Sequence, residues 1–185
     1  MHKVLFMQED VTKKISFEGI NNRYQIKKLV DKNKVKKIRK NVGVWNFKEE
    51  MYKENSQHLL LEDLCKQDFR EECMIVKREI EKKLQGYKQQ DVEKKRYLPE
   101  NFIDFKTVID ELRKSNLKCY YCSQSVFLIY EQVREQSQWT LDRIDNEIGH
   151  NLNNVLISCL ECNLKRRKTN KDKFLFTKNL KLIKT

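Results

Sequence analysis

Four cysteines set as two Cys-x-x-Cys pairs, Cys119/Cys122 and Cys159/Cys162, constrain this chain more than any other feature. Each pair has two residues between its members, and 36 residues separate the pairs. Two thiolates at that spacing fit the tight turn of a zinc knuckle. Two knuckles complete a tetrahedral four-sulfur site with bonds of about 2.3 Å. Zinc has no redox chemistry, and four protein ligands leave it no open position, so such a metal is structural. The competing readings are two disulfides or unrelated thiols.

At 185 residues the chain can hold one good core, or a small domain plus an extension. Charged residues make up 36%, with 4 Gly and 1 Pro, which points to many helices and few tight turns. No run of 18 apolar residues is present, so no membrane span is expected. Lys3-Val-Leu-Phe-Met7 is too short for a signal peptide and is followed by Glu9-Asp10. Reduced cysteines without an export signal make the cytoplasm or nucleus the expected compartment.

The formal charge is +12, and its placement matters more than its sum. Residues 21–40 carry +8 and residues 165–185 carry +8, whereas the stretch between them is mildly acidic. Two basic segments flanking an acidic centre suit contact with a phosphate backbone. The alternative is a pair of solvated basic runs.

Val4–Met7 and Lys14–Phe17 read as short strands, and apolar spacing from Tyr24 to Ile38 reads as a helix that Gly43 ends. From Phe47 to Arg96 a helical stripe runs through Leu61, Cys65, Phe69, Cys73, Val76, Ile80 and Leu84, with Gly86 as its one breaker. Cys65 and Cys73 lie on that stripe and read as packed hydrophobes. The region is expected to form a hairpin or a coiled-coil-like arm, through which residues 47–96 could join a second copy or a partner protein. Pro99 marks the expected boundary, giving a helical basic region over 1–98, a zinc-stabilised domain over 99–172 and a basic tail over 173–185. After Pro99, a helix through Phe102–Leu112, strands at Val126–Tyr130, Trp139–Ile144 and Val155–Ile157, and a helix from Leu160 to Lys168 are expected. The expected class is α+β: a helix-rich N-terminal extension followed by a small treble-clef-like domain.

Trp139-Thr-Leu-Asp-Arg-Ile-Asp-Asn146, Gly149-His150, Asn154-Val155 and Cys159-Leu-Glu-Cys-Asn163 together resemble the HNH endonuclease family. The resemblance covers residues 117–170. It implies a ββα-metal fold in which a divalent ion sits between the first strand and the helix. Asp142-Arg143-Ile144 matches the family's Asp-His-Ile, and Asn154 precedes Asn163 by the family's nine residues. By that resemblance Asp142 and Asn163 hold Mg²⁺ or a similar ion, Asn154 orients the loop and the base, and DNA, or else RNA, is the substrate. Hydrolysis of a phosphodiester needs an activated water, a base and a cation to neutralise the growing charge. The helix bearing Lys165, Arg166, Arg167 and Lys168, with Lys171 beyond it, is expected to lay cations along the nucleic acid.

The family's general base is the His after the Asp, and Arg143 stands there. A guanidinium with a pKa above about 12 takes no proton near neutrality. His150 could fold back as base, since its ordinary pKa suits the task. Alternatively Arg143 clamps the phosphate while a metal-bound water loses its proton unaided. A third outcome is a catalytically inactive treble-clef zinc finger that binds nucleic acid. The Asp-Arg-Ile-Asp form looks like a branch of the family found in phage and large-virus proteins.

Overall fold

A computed structural model describes residues 36–45, 47–66 and 70–180. Chain contacts divide the protein into two compact units, Met1–Lys36 and Lys37–Thr185. The strands expected at Val4–Met7 and Lys14–Phe17, and most of the helix expected from Tyr24, lie outside the described residues.

In the second unit the chain begins with a one-turn helix, α1 (Val42–Trp45). Gly43 lies inside that turn and does not end a helix. A 3₁₀ turn at Glu49–Tyr52 leads into α2 (Glu54–Cys65), and α3 (Glu71–Glu93) follows. The helical stripe expected from Phe47 to Arg96 is thus divided between two helices, α2 and α3. α2 buries Leu60 and Leu61, and α3 buries Cys73, Val76, Ile80 and Leu84 at intervals of three or four residues. Gly86 sits within α3 without breaking it, because helical neighbours on both sides carry it. Cys73 is buried as expected. Cys65 is exposed, since it is the last residue of α2, where the chain leaves the core.

α4 (Phe105–Lys114) starts where Asp104 Oδ1 accepts the backbone N–H of Thr107 at 2.8 Å, and it buries Val108, Ile109 and Leu112. Two antiparallel strands come next, β1 (Trp139–Arg143) and β2 (Val155–Cys159), paired from Trp139 with Cys159 to Arg143 with Val155. α5 (Leu160–Arg166) continues directly from β2, and α6 (Lys171–Asn179) is capped by Asn170. The tail expected over 173–185 is thus helical as far as Asn179.

The strand expected at Val126–Tyr130 is not one; Phe127 makes an isolated bridge to Gln138. Gln57 of α2 explains the difference. Its side-chain oxygen accepts from the N–H groups of Leu128 and Ile129 at 2.8 and 3.1 Å, and its Nε2 donates to the Ile129 carbonyl at 3.4 Å. A buried carboxamide stands in for a neighbouring strand and satisfies the backbone locally.

One apolar cluster takes in Leu60, Leu61, Val76, Ile80 and Leu84 together with Ile103, Leu112, Leu128, Trp139, Leu141 and Ile157. The core therefore runs without a gap across Pro99. The protein is α+β, with helices packed around a two-stranded sheet. Among the described residues, no helix is long and apolar enough to cross a membrane.

Candidate functional site

The knuckle at Cys119–Cys122 is closed by the Ser123 N–H donating to the Cys119 carbonyl at 2.9 Å, and Tyr120 N–H ties it to Ile157 of β2 at 2.9 Å. Cys159 ends β2 and caps α5, its sulfur accepting from the Cys162 N–H at 3.4 Å. All four sulfurs lie within 4.8 Å of one another, and none of the four cysteines is in a disulfide. Cys122 Sγ and Cys159 Sγ are 3.9 Å apart. That is the edge of about 3.8 Å expected for a tetrahedron with 2.3 Å metal–sulfur bonds, and far longer than a disulfide of about 2.05 Å. The crowded sulfurs share one negative charge: the Cys159 thiol holds Cys119 down to about 4, while the facing Cys119 sulfur and burial push Cys159 up and burial pushes Cys162 up to about 12. A divalent cation removes that conflict. The cluster can hold a metal ion such as zinc.

Asp142 of β1 faces α5. Its Oδ2 accepts from the Tyr121 hydroxyl at 2.6 Å and its Oδ1 from Arg166 Nη1 at 2.8 Å. Arg166 also donates to the carbonyls of Arg143 and Ile144, at 2.6 and 2.9 Å, and is 0% exposed. Burial pushes the Asp142 carboxyl above its ordinary value, and the Tyr121 hydroxyl and Arg166 pull against that. Asn163, one turn before Arg166, donates from Nδ2 to Thr140 Oγ1 at 3.1 Å and to the Leu141 carbonyl at 3.4 Å. Asp142 and Asn163 therefore share the strand–helix interface. Asp142 already faces a buried cation, however, and a divalent ion at its carboxylate would have to displace Arg166. The pair does not fit such an ion in this arrangement.

This also corrects the expectation for Arg166. A guanidinium sealed against β1 cannot lie along a nucleic acid. Lys165, Arg167 and Lys168 are exposed, and Lys165 pairs with Glu161. Lys171 is half-buried, its Nζ 5.8 Å from the Tyr120 ring centre.

Successive side chains of a strand point to opposite faces, and Arg143 turns away from Arg166. Its Nη1 donates to the Ile148 carbonyl at 3.3 Å and lies 3.9 Å from Asp91 Oδ1. The loop between the strands is laced by Asn154. Its Oδ1 accepts from the Asp145 N–H at 2.9 Å, and its Nδ2 donates to the Asp145 and Gly149 carbonyls at 3.0 and 2.8 Å. That lacing sets the approach of His150, which is buried and stacked 4.5 Å from the Tyr87 ring. His150 Nδ1 lies 3.0 Å from both carboxylate oxygens of Asp91, and the His150 N–H donates to Asp91 Oδ2 at 2.6 Å. Burial holds His150 below its ordinary pKa, with Asp91 pulling upward and Arg143 and Lys94 downward.

The five residues expected to act together thus form two groups. Asp142 of β1 and Asn163 of α5 meet at the strand–helix interface, whereas Arg143, Asn154 and His150 belong to the loop and α3 side. Sequence reasoning did not single out Asp91, Tyr87, Tyr121 or Thr140. Asp91 carries a legible signal: Ile80, Leu84, Tyr87 and Asp91 follow at helical spacing, placing a carboxylate on a buried stripe. Lys83, Tyr87 and Asp91 meet β1 and its loop in turn, at the Trp139 carbonyl, the Leu141 N–H and His150. Comparison of the chain with protein-family models, with curated proteins and with solved structures returns no match.

Proposed function

We propose that the chain is an HNH-type endonuclease hydrolysing DNA phosphodiester bonds, with a structural zinc at Cys119, Cys122, Cys159 and Cys162. The observation that supports this reading is the loop between β1 and β2. Asn154, nine residues before Asn163, closes that loop, and His150 and Arg143 both face Asp91 beside it. An imidazole base and a nearby positive charge are two of the groups that attack on a phosphodiester needs. His150 is the general base in this reading, and Arg143 is the cation facing the phosphate. Asp142 and Asn163 do not fit the Mg²⁺ that the family resemblance implies, so no step is assigned to that ion. Because Asp142 is engaged by Arg166, no step is assigned to it.

A second reading has a specific observation in its favour. With both Asp142 oxygens bonded inside the protein, the strand–helix interface has the form of a strut. The chain is then a treble-clef module that binds nucleic acid through Lys165, Arg167, Lys168 and Lys171. Its affinity would fall with salt at a slope of about −0.9 per phosphate neutralised.

Nicking of supercoiled plasmid separates the two. Zinc-loaded protein is expected to convert plasmid to open circle, and His150→Ala to lose at least about 100-fold in rate. Parallel reactions with Mg²⁺ and with a chelator too weak to strip the cysteine site report whether a second ion is needed. Retention of plasmid in a mobility shift without nicking in any condition would overturn the nuclease and leave the binding module.

A further inference from the structure

We propose that Asp91, on a helix outside the region that resembles a nuclease, is the positioning residue for His150. It fixes the Nδ1–H tautomer so that Nε2 carries the lone pair that takes a proton from the attacking water. This inference rests on the nuclease reading above.

Asp91 is 0% exposed, and its ion pair with Arg143 is long: Nη1 lies 3.9 Å from Oδ1 and donates to the Ile148 carbonyl. A carboxylate taken out of water needs strong donors in return. Here the donors are the His150 N–H at 2.6 Å and His150 Nδ1 at 3.0 Å. A carboxylate accepts, so Nδ1 carries the proton and Nε2 is the bare nitrogen. Nε2 has no partner among the described residues. It is also not among the sealed unpaired polar atoms there, which are Tyr52 Oη, Asn151 Oδ1 and Arg166 Nε.

The backbone has been shaped around this contact. A Cβ on Gly149 would lie 2.9 Å from Asp91 Oδ2 and 2.6 Å from the Arg96 carbonyl, so glycine permits the approach. Tyr87, one turn earlier on α3, packs against the imidazole with 4.5 Å between ring centres and 32° between their planes. A buried carboxylate, an Nδ1–H and a free Nε2 form the arrangement by which a histidine is oriented as a base. The charged groups facing the imidazole are Asp91 and Lys94 from α3 and its end, and Arg143 from β1. Arg96 and Glu147 pair with each other at 2.9 Å beside them. Burial first, and then Arg143 and Lys94, hold the imidazole below its ordinary pKa, which favours the neutral ring a base needs.

A purely structural acceptor at position 91 could be replaced by Asn, which keeps an oxygen but brings an N–H₂ and no charge. The test is plasmid nicking by the full chain, zinc-loaded, as wild type, Asp91→Asn and His150→Gln, from pH 5 to 9. Asp91→Asn is expected to lose about 100-fold or more in rate. Its acid limb is expected to move to lower pH, because the charge that raised the His150 pKa is gone. Unchanged rate and acid limb in a folded Asp91→Asn protein would overturn the positioning role and leave the nuclease reading intact. Absence of nicking by wild type would overturn both. Should Asp91→Asn fail to fold, the ¹⁵N spectrum of wild-type imidazoles, with the His150 signal assigned by its loss in His150→Gln, decides. A protonated Nδ1 is expected, and a protonated Nε2 would overturn the proposal.

Discussion

At Asp142 a carboxylate that is 4% exposed meets a guanidinium that is 0% exposed. Each is costly to bury alone, and the Tyr121 hydroxyl and two backbone carbonyls complete the set of partners. Arg166→Met should therefore cost about 3–5 kcal/mol, because it strands the carboxylate. Urea denaturation should show this, while Lys165→Ala, at an exposed helix pair, leaves the midpoint nearly unchanged. By the same logic Asp142→Ala strands Arg166, so its loss of activity would not by itself identify a catalytic group. His150 carries a pH signature. Its folded pKa lies below the ordinary value, so the unfolded chain binds a proton first as pH falls. The stability it contributes is present above about pH 6.5 and declines below that. The gap in unfolding midpoint between wild type and His150→Gln should narrow from pH 7 to pH 5. A constant gap would mean that His150 titrates alike in both states.

α5 is seven residues long, too short to persist alone. Four side chains attach it: Cys159 at its first turn, Cys162 in the sulfur cluster, Asn163 against Thr140 and Arg166 at its last turn. Cys159→Ser removes a cap and a ligand together. Structural zinc binding contributes on the order of 10 kcal/mol of folding free energy, so this variant, or wild type in strong chelator, should lose its cooperative melt. Metal content measured beside calorimetry checks it; an unchanged melt in chelator would show that the cluster is not a metal site. α3 works differently. Its apolar stripe packs the core, and a polar file of Lys83, Tyr87 and Asp91 at four-residue steps serves β1 and the loop after it.

Across the second unit, the helices before Pro99 and the hairpin after it share one core. A fragment of residues 99–185 would expose Ile103, Leu112 and Leu141 where α2 and α3 now cover them, and would leave His150 without Asp91. It should show neither a cooperative melt nor dispersed amide resonances even with zinc. A stable, well-dispersed fragment would show the cysteine region to be an independent domain. The cysteine cluster was legible in the sequence because ligand spacing is local chemistry: two residues between thiols favour a knuckle wherever the chain runs. Helix and strand order from Pro99 to α5 was legible for the same reason, since periodicity is a local record of which face is buried, whereas α6 was read only as a basic tail. The exception at Val126–Tyr130 was decided by Gln57, about seventy residues away, whose side chain took the backbone groups a strand would have used. The partners of the candidate site were likewise settled in three dimensions. Arg166 reads as one more cation in a basic run until α5 docks on β1 and turns it inward. His150 reads as a loop histidine until α3 brings Asp91 across 59 residues. Charge and spacing along a chain specify what a side chain can do; only packing against distant elements determines what it faces.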